Sequence, residues 1–314
     1  MLQASFRVSG AGSLEITAAS SAMQAPLILK ALEIIIFILM LGLGVNQSLA
    51  DLRDLWRNPA LVLRSLLAVA VLFPLATGLL LKLVPGVPAG VAAGLAILAA
   101  CPGAPVTYKR SALAGGDPAY TSSLHVTLAI LTLLITPATL ALFNAAFRLE
   151  LAVSAPLAEV ARQVAAVQFL PIGIGLLLQQ AAPRASQKLR QPLRRLAEGA
   201  FLALAALLLF PVVLWAILQL VWPIGGLAIA LMALLVAVGL VLGVLLAWQQ
   251  PPGTQSSLAI ATIARNLGLA LLIAQLGGAS ERITPTILGY ALVSLLIAAP
   301  FSIWSKGRSA AAIS

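Results

Sequence analysis

Nine long apolar segments constrain this chain more than any other feature. They run approximately Pro26–Val45, Ala60–Leu83, Pro88–Gly115, Pro118–Phe147, Val160–Ala181, Gly199–Val221, Pro223–Trp248, Thr254–Gly277 and Ile283–Trp304. Each exceeds the length needed to cross about 30 Å of hydrocarbon at roughly 1.5 Å per residue. The runs are continuous and do not alternate, which excludes an outer-membrane barrel. Only 9% of residues are charged and 61% are hydrophobic, whereas soluble domains carry about 25% charged residues. The expectation is an all-α polytopic membrane protein with about nine transmembrane helices in a lipid bilayer.

The net charge is +10. In a soluble protein that would suggest nucleic acid, but here most Lys and Arg lie between apolar runs. They read as topology signals and contacts to anionic headgroups, with no nucleic-acid partner. With the N-terminus outside, twelve cations fall on the inner side and six on the outer, and Arg265 is left in the membrane. The expected location is the inner (plasma) membrane, with the C-terminus in the cytoplasm. The chain divides into an N-terminal tail (1–25), a first half (26–181), a basic cytoplasmic linker (182–198), a second half (199–305) and a cytoplasmic tail (306–314). Within the linker, Pro183–Arg195 reads as the most basic loop. Residues 1–24 lack the apolar core of a signal peptide, and Met1 and Met23 both stand as starts. One cysteine, Cys101, excludes an internal disulfide and a multi-cysteine metal site. One histidine, His125, excludes a His-cluster metalloenzyme. Neither a metal nor a cofactor is expected.

Two of the apolar segments are interrupted in the same way. The third reads Leu95-Ala96-Ile97, then Cys101-Pro102-Gly103-Ala104-Pro105, then Gly115-Gly116, then a run to Pro137. The eighth reads Leu258-Ala259-Ile260, then Arg265-Asn266-Leu267-Gly268, then Gly277-Gly278, then a run to Pro300. These landmarks stay in register within one residue. The copies lie five spans apart, so they cross in opposite directions, as inverted transporter repeats do. Helices broken near 101–105 and 264–268 are therefore expected. Pro102 lacks an amide donor and Gly103 admits unusual backbone angles. Backbone groups released there can face a ligand.

Arg265 sits near the middle of the apolar run from Leu258 to Leu276. A cation at bilayer depth costs at least about 2.5–3.5 kcal/mol. No acid falls in the apolar core of any span, which leaves Glu33, Asp117, backbone carbonyls or a bound anion as its partner.

Cys101-Pro102-Gly103-Ala104-Pro105, followed by Ala114-Gly115-Gly116-Asp117, a Ser/Thr-rich helix and Thr136-Pro137, resembles the first broken helix of the bile acid:sodium symporter family. Arg265-Asn266-Leu267-Gly268-Leu269-Ala270 resembles its second, where Gln-Asn-x-Gly-Leu-Ala is usual. The resemblance extends from about Leu39 to Pro300. It implies a core domain crossed by two broken helices, a separate panel domain, and alternating access for organic anions. This chain is similar to the nine-helix form. It also departs from the family at the sodium ligands. The resemblance puts Thr107 and Tyr108 where a Ser-Asn pair is usual, and Thr121 and His125 where two hydroxyl ligands stand. It puts Ala261 at a shared carboxylate, Arg265 at a Gln, and a residue near Val69 at a further Gln. The departures predict transport without sodium, with Arg265 standing in for the ion or pairing with a substrate carboxylate.

The candidate substrate-binding or ion-substituting residues are thus Arg265, Asn266, Thr107, Tyr108, Thr121, His125, Pro102 and Gly103. Lys109 and Arg110 form a candidate vestibule or a snorkelling pair. His125 could couple transport to protons, since an imidazole titrates near neutral pH. The leading reading is a secondary active or facilitative transporter of a small organic anion, not an enzyme. A sodium-coupled symporter of the same fold is the nearest alternative. A lipid-modifying enzyme or a transporter-like sensor or channel is the alternative from another class. Substrate, direction and oligomeric state, a homodimer included, are left open.

Overall fold

The computed structural model describes residues 34–46, 54–147, 156–209, 222–278 and 280–311. The regular elements among them are helical. They are α1 (Ile34–Asn46), α2 (Pro59–Leu83), α3 (Ala89–Ala100), α4 (Thr107–Leu113), α5 (Pro118–Phe147), α6 (Ala158–Ala181), α7 (Pro183–Leu209), α8 (Gly225–Leu246), α9 (Pro252–Ile263), α10 (Leu267–Leu276) and α11 (Ser280–Ala311). Among the described residues, six helical stretches are long and apolar enough to cross a membrane, and α1 and α3 are shorter apolar helices. The N-terminal tail with Met23, and Glu33, lie outside the described residues, as does most of the sixth expected span.

Local chemistry sets the helix starts. Proline opens α2, α5, α7 and α9, where its missing donor costs nothing and its φ suits the first turn. Asn58 caps α2 by accepting from the Leu61 amide at 3.1 Å. Asp117 caps α5 by accepting from the amides of Ala119 and Tyr120 at 2.9 and 3.1 Å.

Both expected interruptions are present. The third apolar segment is α3, a break at Cys101–Val106, and α4; the eighth is α9, a break at Ala264–Asn266, and α10. The basic stretch Pro183–Arg195 is different from its reading as a loop. It is helix, continuous with the start of the next apolar run. Its Pro sits at the first turn, and Arg, Lys, Gln, Leu and Ala all favour helix. Charge alone made it resemble a loop.

Most buried apolar side chains belong to one core shared by α2, α3, α5, α6, α8, α9, α10 and α11. Close backbone approach holds it together. A methyl at Gly243 of α8 would lie 2.3 Å from Ala259 Cα of α9. A second cluster joins α1 to α6 through Leu39, Met40, Leu43 and Ile172. Here Gly44 lets α1 lie on the backbone of α6, since a methyl would meet the Ile172 carbonyl at 2.3 Å. Small residues at such crossings are how helices pack without a hydrophobic drive between them.

Candidate functional site

The two breaks meet. The amide of Asn266 donates to the carbonyl of Cys101 at 2.9 Å, which ties the second break to the first. A break leaves the last carbonyls of its helix without intrahelical donors, and side chains supply donors to several carbonyls here. Ala99 O accepts from Arg265 at 3.3 Å. Ala100 O accepts from Thr136 Oγ1 at 2.7 Å, and Pro102 O from Thr132 Oγ1 at 3.4 Å. At the end of α9, Ile263 O accepts from Tyr290 Oη at 2.8 Å and Thr262 O from Arg265 Nη2 at 2.5 Å. Gly103 turns the chain at φ 75°, a conformation that a side chain would strain.

Arg265 is 3% exposed and its guanidinium spans three elements. Nη1 and Nη2 both donate to Val69 O of α2 at 3.2 Å, beside the bonds to Ala99 and Thr262. Its Cζ lies 3.8 Å from the centre of the Phe73 ring, a cation–π contact in a dry setting. The acceptors are backbone carbonyls, one of the partners that the sequence left open. Asp117 instead caps α5, and Glu33 lies outside the described residues.

The supply of Val69 O has a local cause. Residues Leu67–Leu72 take the wider π register, in which the Phe73 amide bonds Ala68 O five residues back. Val69 O would next need the amide of residue 74, which is Pro74 and has none. The freed carbonyl points to the arginine. The field adds to this. α3 and α9 both direct their C-terminal ends at Arg265, and each end carries roughly −0.5 elementary charge. A cation there suits the negative end of each of these two helices.

The other candidate residues divide. Asn266 caps α10, its Oδ1 accepting from the Leu269 amide at 3.1 Å; its Nδ2 is buried without a partner. Thr107 Oγ1 and both ring nitrogens of His125 are likewise buried without partners. Thr121 is committed elsewhere: its hydroxyl meets Ser111 at 2.9 Å and Ser257 at 2.8 Å, and donates to Asp117 O at 2.6 Å. Ser111 and Ser257 close the triangle at 2.9 Å. Tyr108 packs on the α1–α6 cluster. Lys109 pairs with Glu198 at 3.7 Å. Arg110 donates to Ser294 O at 3.0 Å. Pro102 and Gly103 form the first break itself.

Sequence reasoning missed two residues of α6. Gln168 is fully buried in the π segment Ala165–Phe169, with both amide atoms unpartnered. Gln163 has its Oε1 buried and unpartnered, and its Nε2 lies beside Gly268, 3.3 Å from where a methyl would sit. Their place in the first part of the apolar run Val160–Ala181 was the available signal. The hydroxyl triangle gave none, because its members are far apart in sequence.

A family profile described as Sodium Bile acid symporter family matches residues 33–217. The chain belongs to that family. It is therefore a membrane transporter by family, as the resemblance implied. The matched residues include the first break and end before Arg265. No curated protein matches the chain.

Proposed function

We propose that this family member moves a small organic anion by alternating access without drawing on sodium. One observation carries the reading: Arg265 occupies the crossing with all its terminal donors on backbone carbonyls. The resemblance puts sodium ligands at this crossing, and the residues present do not suit the ion. Ala261 offers no carboxylate and Val69 no side-chain oxygen. Thr121 is already in its hydroxyl triangle. A fixed guanidinium would repel a second cation. Arg265 thus acts as a permanent stand-in for the ion's charge, holding α2, α3 and α9 together through its Nη atoms, while its buried Nε has no partner. The unpartnered Nδ2 of Asn266, Oε1 of Gln163 and both amide atoms of Gln168 suit the substrate's polar groups. The unpartnered ring of His125 suits a proton as the coupled ion, and transport driven by the substrate gradient alone is the remaining mode.

Purified protein in liposomes tests this with a panel of labelled organic acids. Uptake should proceed equally in sodium and in choline buffers, and an imposed inward proton gradient should accelerate it if His125 couples. Uptake that requires sodium would overturn the reading.

A further inference from the structure

α7 is a basic amphipathic helix before it becomes apolar. Its 27 residues hold five cations, Arg184, Lys188, Arg190, Arg194 and Arg195, against one acid, Glu198. At about 100° per residue, Arg184, Lys188 and Arg195 fall within about 40° of one another, and Leu189, Leu193 and Leu196 within about 60° on another side. The three cations are exposed. Leu189 and Leu196 are also exposed, at 39% and 52%. A helix with a cationic stripe and a leucine stripe lies in a membrane interface, with its leucines in the acyl layer and its cations at headgroup level. Pro192 in its interior supplies the point at which such a segment can bend into the following span. The acid does not neutralise the stripe, because Glu198 is turned to Lys109 of α4 at 3.7 Å.

We infer that the Arg184–Arg195 face of α7 binds the phosphates of anionic lipids. The occupant is a headgroup of net negative charge, such as phosphatidylglycerol, and the recognition is of charge more than of shape. The Glu198–Lys109 pair joins this surface to α4, the second half of the first broken helix.

Detergent-solubilised protein titrated with phosphatidylglycerol or phosphatidylcholine, and read by native mass spectrometry, tests the inference without any transport substrate. Phosphatidylglycerol should be retained in preference, and the preference should fade as salt is raised. The triple variant Arg184→Gln, Lys188→Gln, Arg195→Gln should bind phosphatidylglycerol on the order of 100-fold more weakly, with phosphatidylcholine unchanged. A second variant, Arg184→Lys with Arg195→Lys, should keep the preference. Equal retention of the two lipids by the unmodified protein, a preference that salt does not weaken, or a triple variant that retains it would each overturn the inference.

Discussion

Arg265 gathers four hydrogen bonds on three carbonyls and covers an aromatic ring, so its removal has consequences that can be apportioned. Arg265→Ala leaves the carbonyls of Val69, Ala99 and Thr262 without their side-chain donor. An orphaned buried group costs about 1–3 kcal/mol, so the variant should unfold well below the unmodified protein in a detergent melting assay. Arg265→Lys should recover only part of the loss, because one ammonium cannot reproduce a planar fork. Equal stability of all three proteins would remove the arginine from its structural role. A sharper expectation concerns the ion. The double variant Ala261→Glu, Arg265→Gln restores the pattern of the family resemblance at two positions, and its melting temperature should rise when sodium replaces choline. The unmodified protein should show no such difference. Tyr290→Phe is the milder probe of the same crossing. It leaves Ile263 O without its donor and should cost about 1 kcal/mol.

At the scale of elements, the fold depends on bare backbone at Gly243. A methyl there would overlap Ala259 of α9 at 2.3 Å, and backbone cannot yield as a side-chain tip can. Gly243→Ala should therefore destabilise by about 1–3 kcal/mol or more, despite the better helix propensity of alanine. Gly226→Ala in the same helix meets nothing within 4 Å and should be neutral or mildly stabilising when both are compared by thermal melting. Such contacts mark the limit of what the sequence disclosed. The breaks were legible because Pro102, Gly103 and the Arg265-Asn266 pair are costly inside a span, and a costly residue signals its own position. The expense of Arg265 likewise pointed to the crossing. Its partners were not legible, because a π register at Leu67–Leu72 that frees Val69 O depends on tertiary packing and on Pro74 five residues on. The hydroxyl triangle of Ser111, Thr121 and Ser257 joins three elements, and hydroxyls in helices commonly satisfy themselves on their own backbone. The basic stretch after Pro183 was misread for a related reason: charge density reports exposure, and exposure is compatible with helix as well as loop.

For the whole molecule, the distribution of cations and the order of the apolar helices predict one orientation. An odd number of spans with the cation-rich loops inside places α7's basic face in the cytoplasm and the start of α11 outside. Gln187 in α7 and Glu281 in α11 are both exposed, and they lie on opposite sides in this arrangement. The native Cys101 is fully buried, so it gives a low background for labelling, and Cys101→Ala removes it altogether. In that background, a membrane-impermeant maleimide applied to intact cells should label Glu281→Cys and spare Gln187→Cys, and both should react once the cells are opened. The reverse pattern would turn the molecule over and place the basic face of α7 outside, against the outer leaflet. Labelling of both from outside would break the count of spans between them, since one crossing must then be missing or doubled. The orientation matters to the transport reading because the link from Glu198 to Lys109 ties the crossing to one side of the membrane. If that side is the cytoplasm, the anionic leaflet that α7 meets is the one whose composition can bear on the first broken helix.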